Sequence, residues 1–263
     1  MPIDRIDLTE ANGYILEEQG SQVIQDLVAN SAVERFARRE AMASRTKSVP
    51  RFVADAPEVV AEGDEIPAAS ATLDEVVLTA KKYAKLFHIS EEDVNDSLVD
   101  VLSTYKREWA SRFARKFDNA TLGVHATADG TDAVPYTSLY QALYTDPNAS
   151  TSHIIQTGGA LTFADLNNAL ALVESSSKFD AANTVFMAHP KMLAEIRGMV
   201  QGNNNELVLP NPLDATPGSL FGYPLVVSYG AAKSTAATEN PTGNPLLIVG
   251  NRQMLINGVR GGV

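Results

Sequence analysis

Few residues of this 263-residue chain could carry acid–base or metal chemistry. The four histidines, His88, His125, His153 and His189, are scattered without the spacing of a metal site or a catalytic pair. The segment Asp129-Gly-Thr-Asp132 could contact a cation, but a turn is the more common use of this pattern. The chain has no cysteine, no dinucleotide-binding glycine motif, no phosphate loop and no nucleophile elbow. An enzyme therefore has little support, and no cofactor or metal is expected.

Electrostatic binding is the chemistry that the charge pattern favours. The net charge of -11 opposes tight binding of nucleic acid over the whole surface, because phosphate binding depends on lysine and arginine. Basic residues are nevertheless in excess between Ser31 and Arg51 and again between Tyr105 and Asp118. Such runs are either solvated helix faces or binding surfaces, and both interpretations stay open here. The candidate binding residues are Arg35, Arg38, Arg39, Arg112 and Arg115.

The composition is typical of a protein with a buried core and not of a membrane-spanning protein. With 44% hydrophobic residues the chain can bury a real core, as one large or two small domains. The longest aliphatic run, around Pro245–Val249, is too short to span a membrane, and no membrane partner is expected. The absence of cysteine is compatible with a reducing cytoplasm.

The sequence predicts a long acidic hairpin. Ser48–Ala54 and Ala71–Ile89 both have the pattern of extended chain, and alternation places Val76, Leu78 and Ala80 on one face. If residues 72–87 are extended, this arm alone spans about 50 Å at about 3.3 Å per residue. Two-stranded ribbons are marginal in water, so the hairpin needs support from outside its own domain.

Two helices are expected on either side of the hairpin. A helical stretch over Ser21–Met42 has few apolar positions and is interpreted as part of an arm that docks on something else. After Ser90-Glu-Glu-Asp93, which has the spacing of a capping box, apolar residues recur every three to four positions for six or more turns. They are Leu98, Val101, Leu102, Tyr105, Trp109, Phe113 and Phe117.

Beyond a boundary near residues 124–135, the pattern changes to alternating strands and helices. Helices are predicted to begin at Thr162 and at Pro190, and Tyr136, Tyr140 and Tyr144 would line one face of a short helix. The predicted strands are Asn183–Ala188, a turn and strand within Leu220–Ser228, and Leu246–Val249.

The order of these parts resembles the major capsid protein family of tailed bacteriophages, the Hong-Kong-97-type shell fold of the α+β class. The likeness covers about Ser31 to Val263, and no single motif in it is diagnostic. The segments that resemble the family are Glu62–Pro67, Val77–Ala84 with His88–Ser90, Phe113–Ala120, Val185–Pro190 and Leu220–Ser228.

This resemblance implies an architecture and a function. The expected parts are an N-terminal arm at 1–47, an extended hairpin loop at 48–89, a peripheral domain with a spine helix at 90–129, an α/β axial domain at 130–243 and a return to the peripheral domain at 244–263. The expected function is self-assembly into the pentamers and hexamers of an icosahedral head that encloses double-stranded DNA. Such a protein is assembled in the bacterial host cytoplasm and resides in the virion capsid.

The resemblance also implies the binding partners. In this family the hairpin lies over a neighbouring subunit, and the expected contact residues are Glu58, Glu62, Asp64, Glu65 and Ile66. The five arginines named above would meet packaged DNA, weakly and without sequence preference, or the acidic hairpin of a neighbour. Scaffolding, portal and decoration proteins are further candidate partners.

Three departures from the family pattern modify these expectations. No lysine lies between Lys47 and Lys81, so the lysine–asparagine isopeptide crosslink of some relatives is not expected. The arm begins at Met1, which suggests a separate scaffold protein or none. The sequence stops at Gly258–Val263, where relatives usually continue into another strand.

Three alternative assignments stay open. An encapsulin has the same fold but encloses a protein cargo, and the basic arm favours the phage capsid over it. A soluble α/β hydrolase or transferase would need a nucleophile–base pair, which is not evident. A scaffold or head-completion protein would bind a shell without forming it, and the long hairpin opposes that assignment.

Overall fold

The structure of the chain is a computed structural model, and it describes residues 31–54, 59–60, 62–63, 71–88, 90, 101–145, 153–201, 206–207 and 218–260. The chain divides into two compact units. The first comprises Met1–Val28 and Lys85–Ser111, and the second comprises Ala29–Ala84 and Arg112–Val263. The domain limits expected from the resemblance stay predictions.

The second unit begins with a short helix and a strand. Helix α1 (Ala32–Phe36) is capped by Ser31, and strand β1 (Arg38–Met42) follows directly. The predicted helix over Ser21–Met42 is therefore wrong for its last five residues, and Ser21–Asn30 lies outside the described residues. The reason is tertiary, because β1 pairs in parallel with strand β10 (Ile256–Arg260), whose position no local pattern reveals.

A two-stranded antiparallel ribbon follows. Strand β2 (Thr46–Ala54) pairs with strand β3 (Ala71–Thr79) over nine residues, in register from Thr46 with Thr79 to Ala54 with Ala71. At about 3.3 Å per residue this paired part is about 30 Å long. The predicted hairpin is confirmed. Its second strand ends earlier than residue 87, because residues 80–88 form no regular element.

Two helices follow the ribbon in the sequence. Helix α2 (Val101–Leu122) has 22 residues and confirms the long apolar stripe, while residues 91–100 lie outside the described part. Helix α3 (Leu139–Thr145) contains Tyr140 and Tyr144, whose rings stack at 6.3 Å. Tyr136 precedes this helix, so the prediction that three tyrosines share one helical face is wrong for Tyr136.

A four-stranded sheet forms the centre of the second unit. Around it lie α4 (Phe163–Glu174), which follows Thr162 as predicted and begins with a capping box, and α5 (Pro190–Arg197), which has Pro190 in its first turn. The strands of this sheet are β4 (Thr184–Ala188), β7 (Ser219–Leu220), β8 (Tyr223–Val227) and β9 (Leu247–Asn251). The strand order is β7–β8–β4–β9, and only the β8–β4 pair is parallel.

Strand β4 is buried on both faces and therefore organises two apolar clusters. Because side chains alternate along a strand, Phe186 and Ala188 pack against α4 and α5, whereas Val185 and Met187 pack against α1 and Leu122 of α2. A small hairpin joins β5 (Val200–Gln201) to β6 (Glu206–Leu207), and a short 3-10 turn (Arg252–Met254) leads from β9 into β10. The core thus lies at the sheet, far along the chain from the ribbon.

Candidate assembly interface

The ribbon exposes apolar side chains that its own strands do not cover. Val76 and Val77 are 44% and 55% exposed, although both are β-branched residues in the middle of a strand. Placing each under a partner surface would contribute about 1 kcal/mol. Because the two residues are consecutive, they lie on opposite faces of the ribbon, and neither is fully covered within the described residues, so another molecule can complete either face.

Charge pairs across the ribbon hold its register. Arg51 and Asp74 are directly opposite each other and form an ion pair, and Ser48 donates a hydrogen bond to Glu75. The backbone N–H of Glu75 and the Arg51 guanidinium together hold the pKa of Asp74 below its usual range. Because a one-residue slip would move every side chain to the other face, these pairs help to define which face is presented.

Further ion pairs connect the ribbon to strand β1 at its base. Lys47 of β2 donates to Glu40 at 2.9 Å and to the carbonyl of Ala41 at 2.9 Å. Arg38 contacts the same Glu40 carboxylate at 2.8 Å. These bonds lower the pKa of Glu40, with the hydrogen bond from Lys47 making the largest contribution. The first ribbon strand is thereby attached to the β1–β10 pair.

Of the five predicted hairpin contact residues, the structure describes one. Glu62 is exposed in a turn with Gly63, whose positive φ of 93° is a conformation that glycine adopts without strain. Glu58, Asp64, Glu65 and Ile66 lie outside the described residues. Their role as an inter-subunit contact stays a prediction.

The five predicted arginines occupy two places in the second unit. Arg35 on α1 and Arg38 and Arg39 on β1 are exposed, and the two strand residues point to opposite sides because they are consecutive. They do not form the helix face that the sequence suggested. Arg112 forms an ion pair with Glu239 at 3.3 Å, and the Arg115 guanidinium lies 5.2 Å from the centre of the Tyr229 ring.

A buried carboxylate missed by the sequence analysis connects α1 to α2. Asp118 accepts hydrogen bonds from the hydroxyls of Ser31 and Ser228 and from the backbone N–H groups of Ala32 and Val33 at 2.9 and 3.3 Å. Burial raises the pKa of Asp118, and the four donors act in the opposite direction with a smaller effect. The start of α1 is thus anchored to a residue 86 positions away.

The next residue, Asn119, anchors the loop that follows β8. Its Nδ2 donates to the carbonyls of Gly230 and Ala232 at 3.0 and 2.9 Å, and its Oδ1 accepts from Ser234 and Thr238. A Cβ at position 230 would lie 2.4 Å from the Asn119 backbone nitrogen, so only glycine permits this approach. Two polar residues side by side within an apolar stripe were the only sequence signal for this pair.

No arrangement of catalytic groups accompanies these features in the described residues. A largely apolar cavity of about 570 Å³ lies beside α4 and β9, and Asp165 is in its wall. The Asp165 carboxylate accepts hydrogen bonds from the backbone N–H and the hydroxyl of Thr162 in the capping box, and these bonds lower its pKa. It therefore stabilises the start of the helix. Among the described residues no three His, Cys, Asp or Glu side chains are grouped to hold a metal, and no described helix is long and apolar enough to cross a membrane.

Comparison with protein families gives an extended match. The model of the phage capsid family matches residues 12–258. A probable major capsid protein, gp17 of Mycobacterium phage D29, is 27% identical over 173 residues, which cover 65% of this chain and 51% of that protein. The chain thus spans about half the length of this curated relative.

Solved structures from a phage and from a GTA particle have the same fold. A chain from Mycobacterium phage Cain matches with a TM-score of 0.68 and 17% identity, covering 98% of this chain and 79% of the other. A chain described as the capsid of an empty GTA particle computed with C5 symmetry matches with a TM-score of 0.59 and 16% identity, covering 96% and 83%.

These findings agree with the described structure. The mixed α+β fold, the extended ribbon and the long helix all lie within the matched region. The resemblance to the major capsid protein family of tailed phages is confirmed. The chain belongs to the phage capsid family.

Proposed function

We propose that this chain self-assembles into the pentamers and hexamers of an icosahedral head that encloses double-stranded DNA. The observation that carries the proposal is the ribbon. Its paired part is about 30 Å long at about 3.3 Å per residue, and it exposes valine side chains that are stabilised when another surface covers them. A neighbouring copy supplies that surface in every position of a closed shell. Closed symmetry then leaves no ribbon uncovered.

The architecture proposed for this function is of the Hong-Kong-97 type. Residues 1–47 act as the arm, 48–89 as the extended loop, 90–129 as the peripheral domain with its spine helix, 130–243 as the axial domain and 244–263 as the return. Several modest contacts per copy give avidity, so no single contact has to be strong. Assembly takes place in the bacterial host cytoplasm, with scaffolding, portal and decoration proteins as candidate partners.

Sedimentation velocity of the purified full-length chain, recorded at 260 and 280 nm, tests this function. We expect fast-sedimenting particles, alone or with a scaffold protein added. Excess absorbance at 260 nm in those particles supports enclosed nucleic acid, whereas particles that contain only protein support self-assembly alone. A monomer that persists under both conditions contradicts self-assembly.

In this proposal Arg35 of α1 and Arg39 of β1, which are both exposed, contact packaged DNA. Replacing Arg35 and Arg39 together by glutamine is expected to reduce the slope of log K against log salt by about 2 units, since each phosphate contact contributes about 0.9. The measurement is a titration with duplex DNA at several salt concentrations. Arg38→Gln is the matched control, because the charge of Arg38 is already paired with Glu40. An unchanged slope in the double variant would remove these arginines from the DNA contact.

A further inference from the structure

A chain of hydroxyl groups holds the segment that leaves the ribbon. Tyr83 donates to the hydroxyl of Tyr136 at 3.2 Å, and Tyr136 lies 3.2 Å from the hydroxyl of Thr121. Thr121 uses its own hydrogen in a bond to the carbonyl of Phe117 at 2.9 Å. Tyr136 is therefore the donor to Thr121, and the three bonds run in one direction from the ribbon segment into α2.

Burial favours the protonated form of the two tyrosines. It raises the pKa of Tyr83 and, more strongly, that of Tyr136. The Tyr83 ring also packs edge-on against Phe113 and Phe117, with ring centres 5.3 and 6.3 Å away. Edge-to-face pairs of this kind have a defined geometry, so the side chain is fixed both by its ring and by its hydroxyl.

Tyr83 lies directly after the second strand of the ribbon. Only residues 80–82 separate it from Thr79, the last residue of β3. The amide of Ala80 donates to the carbonyl of Arg45 at 2.8 Å, which ties the two ribbon strands together at their base. Lys81 donates to the carbonyl of Gly130 at 3.2 Å. The base of β3 is therefore attached to the rest of the unit within a few residues.

We infer that Tyr83, through Tyr136 and the two phenylalanine rings, is a positioning residue that sets the direction in which the ribbon leaves its domain. This inference rests on the proposed function, because the direction of the ribbon determines where it meets a neighbouring copy. A ribbon about 30 Å long converts a small rotation at its base into a displacement of several ångströms at its far end. Tyr83 thereby controls the curvature of the assembled shell.

Two variants separate the hydroxyl from the ring. In the unassembled chain, Tyr83→Phe is expected to reduce the hydrogen-exchange protection of the Ala80 amide about tenfold, and Tyr83→Ala about a hundredfold. Because the chain has no cysteine, spin labels at Val76→Cys and Asn240→Cys report ribbon direction directly. Their distance distribution should broaden in the order wild type, Tyr83→Phe, Tyr83→Ala. Tyr144→Phe is the control, since Tyr144 makes ring contacts with His125 and Tyr140 and is 46% exposed.

Electron microscopy of assembled material completes the test. Tyr83→Phe is expected to broaden the distribution of shell diameters, and Tyr83→Ala to give open sheets, while Tyr144→Phe leaves diameters unchanged. Unchanged exchange and distances in both Tyr83 variants would overturn the positioning role, and altered distances with wild-type diameters would overturn its link to curvature. Failure of the wild-type chain to assemble would refute the proposed function instead, and the exchange and distance measurements would still decide the role of Tyr83.

Discussion

A chain whose ribbon is cut back to its base is expected to fold and to form no shells. The variant replaces residues 50–75 by Asn-Gly, which connects Val49 to Val76 through a two-residue hairpin turn. These two residues are already partners in the ladder, and the four pairs at the base are kept. The Glu40–Lys47 ion pair and the Tyr83 contacts are also kept. The core at the central sheet is untouched, so the variant removes the outer part of the ribbon, whereas Val76 and Val77 stay beside the new turn.

Circular dichroism and thermal unfolding establish that this variant is folded, and sedimentation measures its assembly. Mixing it with the wild-type chain provides the matched control. A shortened copy can still receive a neighbour's ribbon while donating none, so small fractions should be incorporated and larger fractions should lower the yield of shells steeply. Shells of wild-type size and yield from the shortened chain alone would contradict support of the ribbon by a neighbour.

Replacement of Asn119 by alanine is expected to lower the free energy of unfolding by about 3 kcal/mol. The side chain is fully buried, and all of its hydrogen-bonding capacity is used in four bonds to the loop after β8. Alanine would leave the carbonyls of Gly230 and Ala232 and the N–H of Thr238 without this partner. Urea unfolding followed by circular dichroism measures the change.

Asn167→Ala is the matched control for this substitution. Asn167 is an exposed asparagine within α4, where alanine has the higher helix propensity, so the change should stay within about 0.5 kcal/mol. Asn119→Asp tests the donors specifically, because it keeps the shape and the acceptor while removing both N–H groups that bind the carbonyls. A loss below about 1 kcal/mol in Asn119→Ala would show that the loop has another anchor.

Elements with a strong local pattern could be predicted from the sequence. The α2 stripe, the capping box at Thr162 and the proline at the start of α5 each determine their element through nearby residues, and the structure contains all three. The ribbon could also be predicted, because the alternation of side chains along its strands is a local property. Strand β4, buried on both faces, matches the continuous apolar run Thr184–Ala188.

Features that depend on distant partners could not be predicted in this way. Arg38–Met42 lies in a strand because Ile256–Arg260 is beside it, and the preceding sequence alone favours a helix. Asp118 and Asn119 interrupt an apolar stripe. Their hydrogen bonds form only when α1 and the loop after β8 are placed against α2. The hydrogen bond between Tyr136 and Tyr83 could not be predicted either, because the two residues are 53 positions apart.

Cryo-electron microscopy of particles assembled from the full-length chain tests the central claim most directly. A map in which the ribbon of each copy, from Thr46 to Thr79, lies against the surface of an adjacent copy, with the face that carries Val76 or the face that carries Val77 covered, is the result expected here. Particles in which every ribbon folds back on its own copy, or a protein that remains monomeric with and without a scaffold, would contradict assembly of a shell through the ribbon.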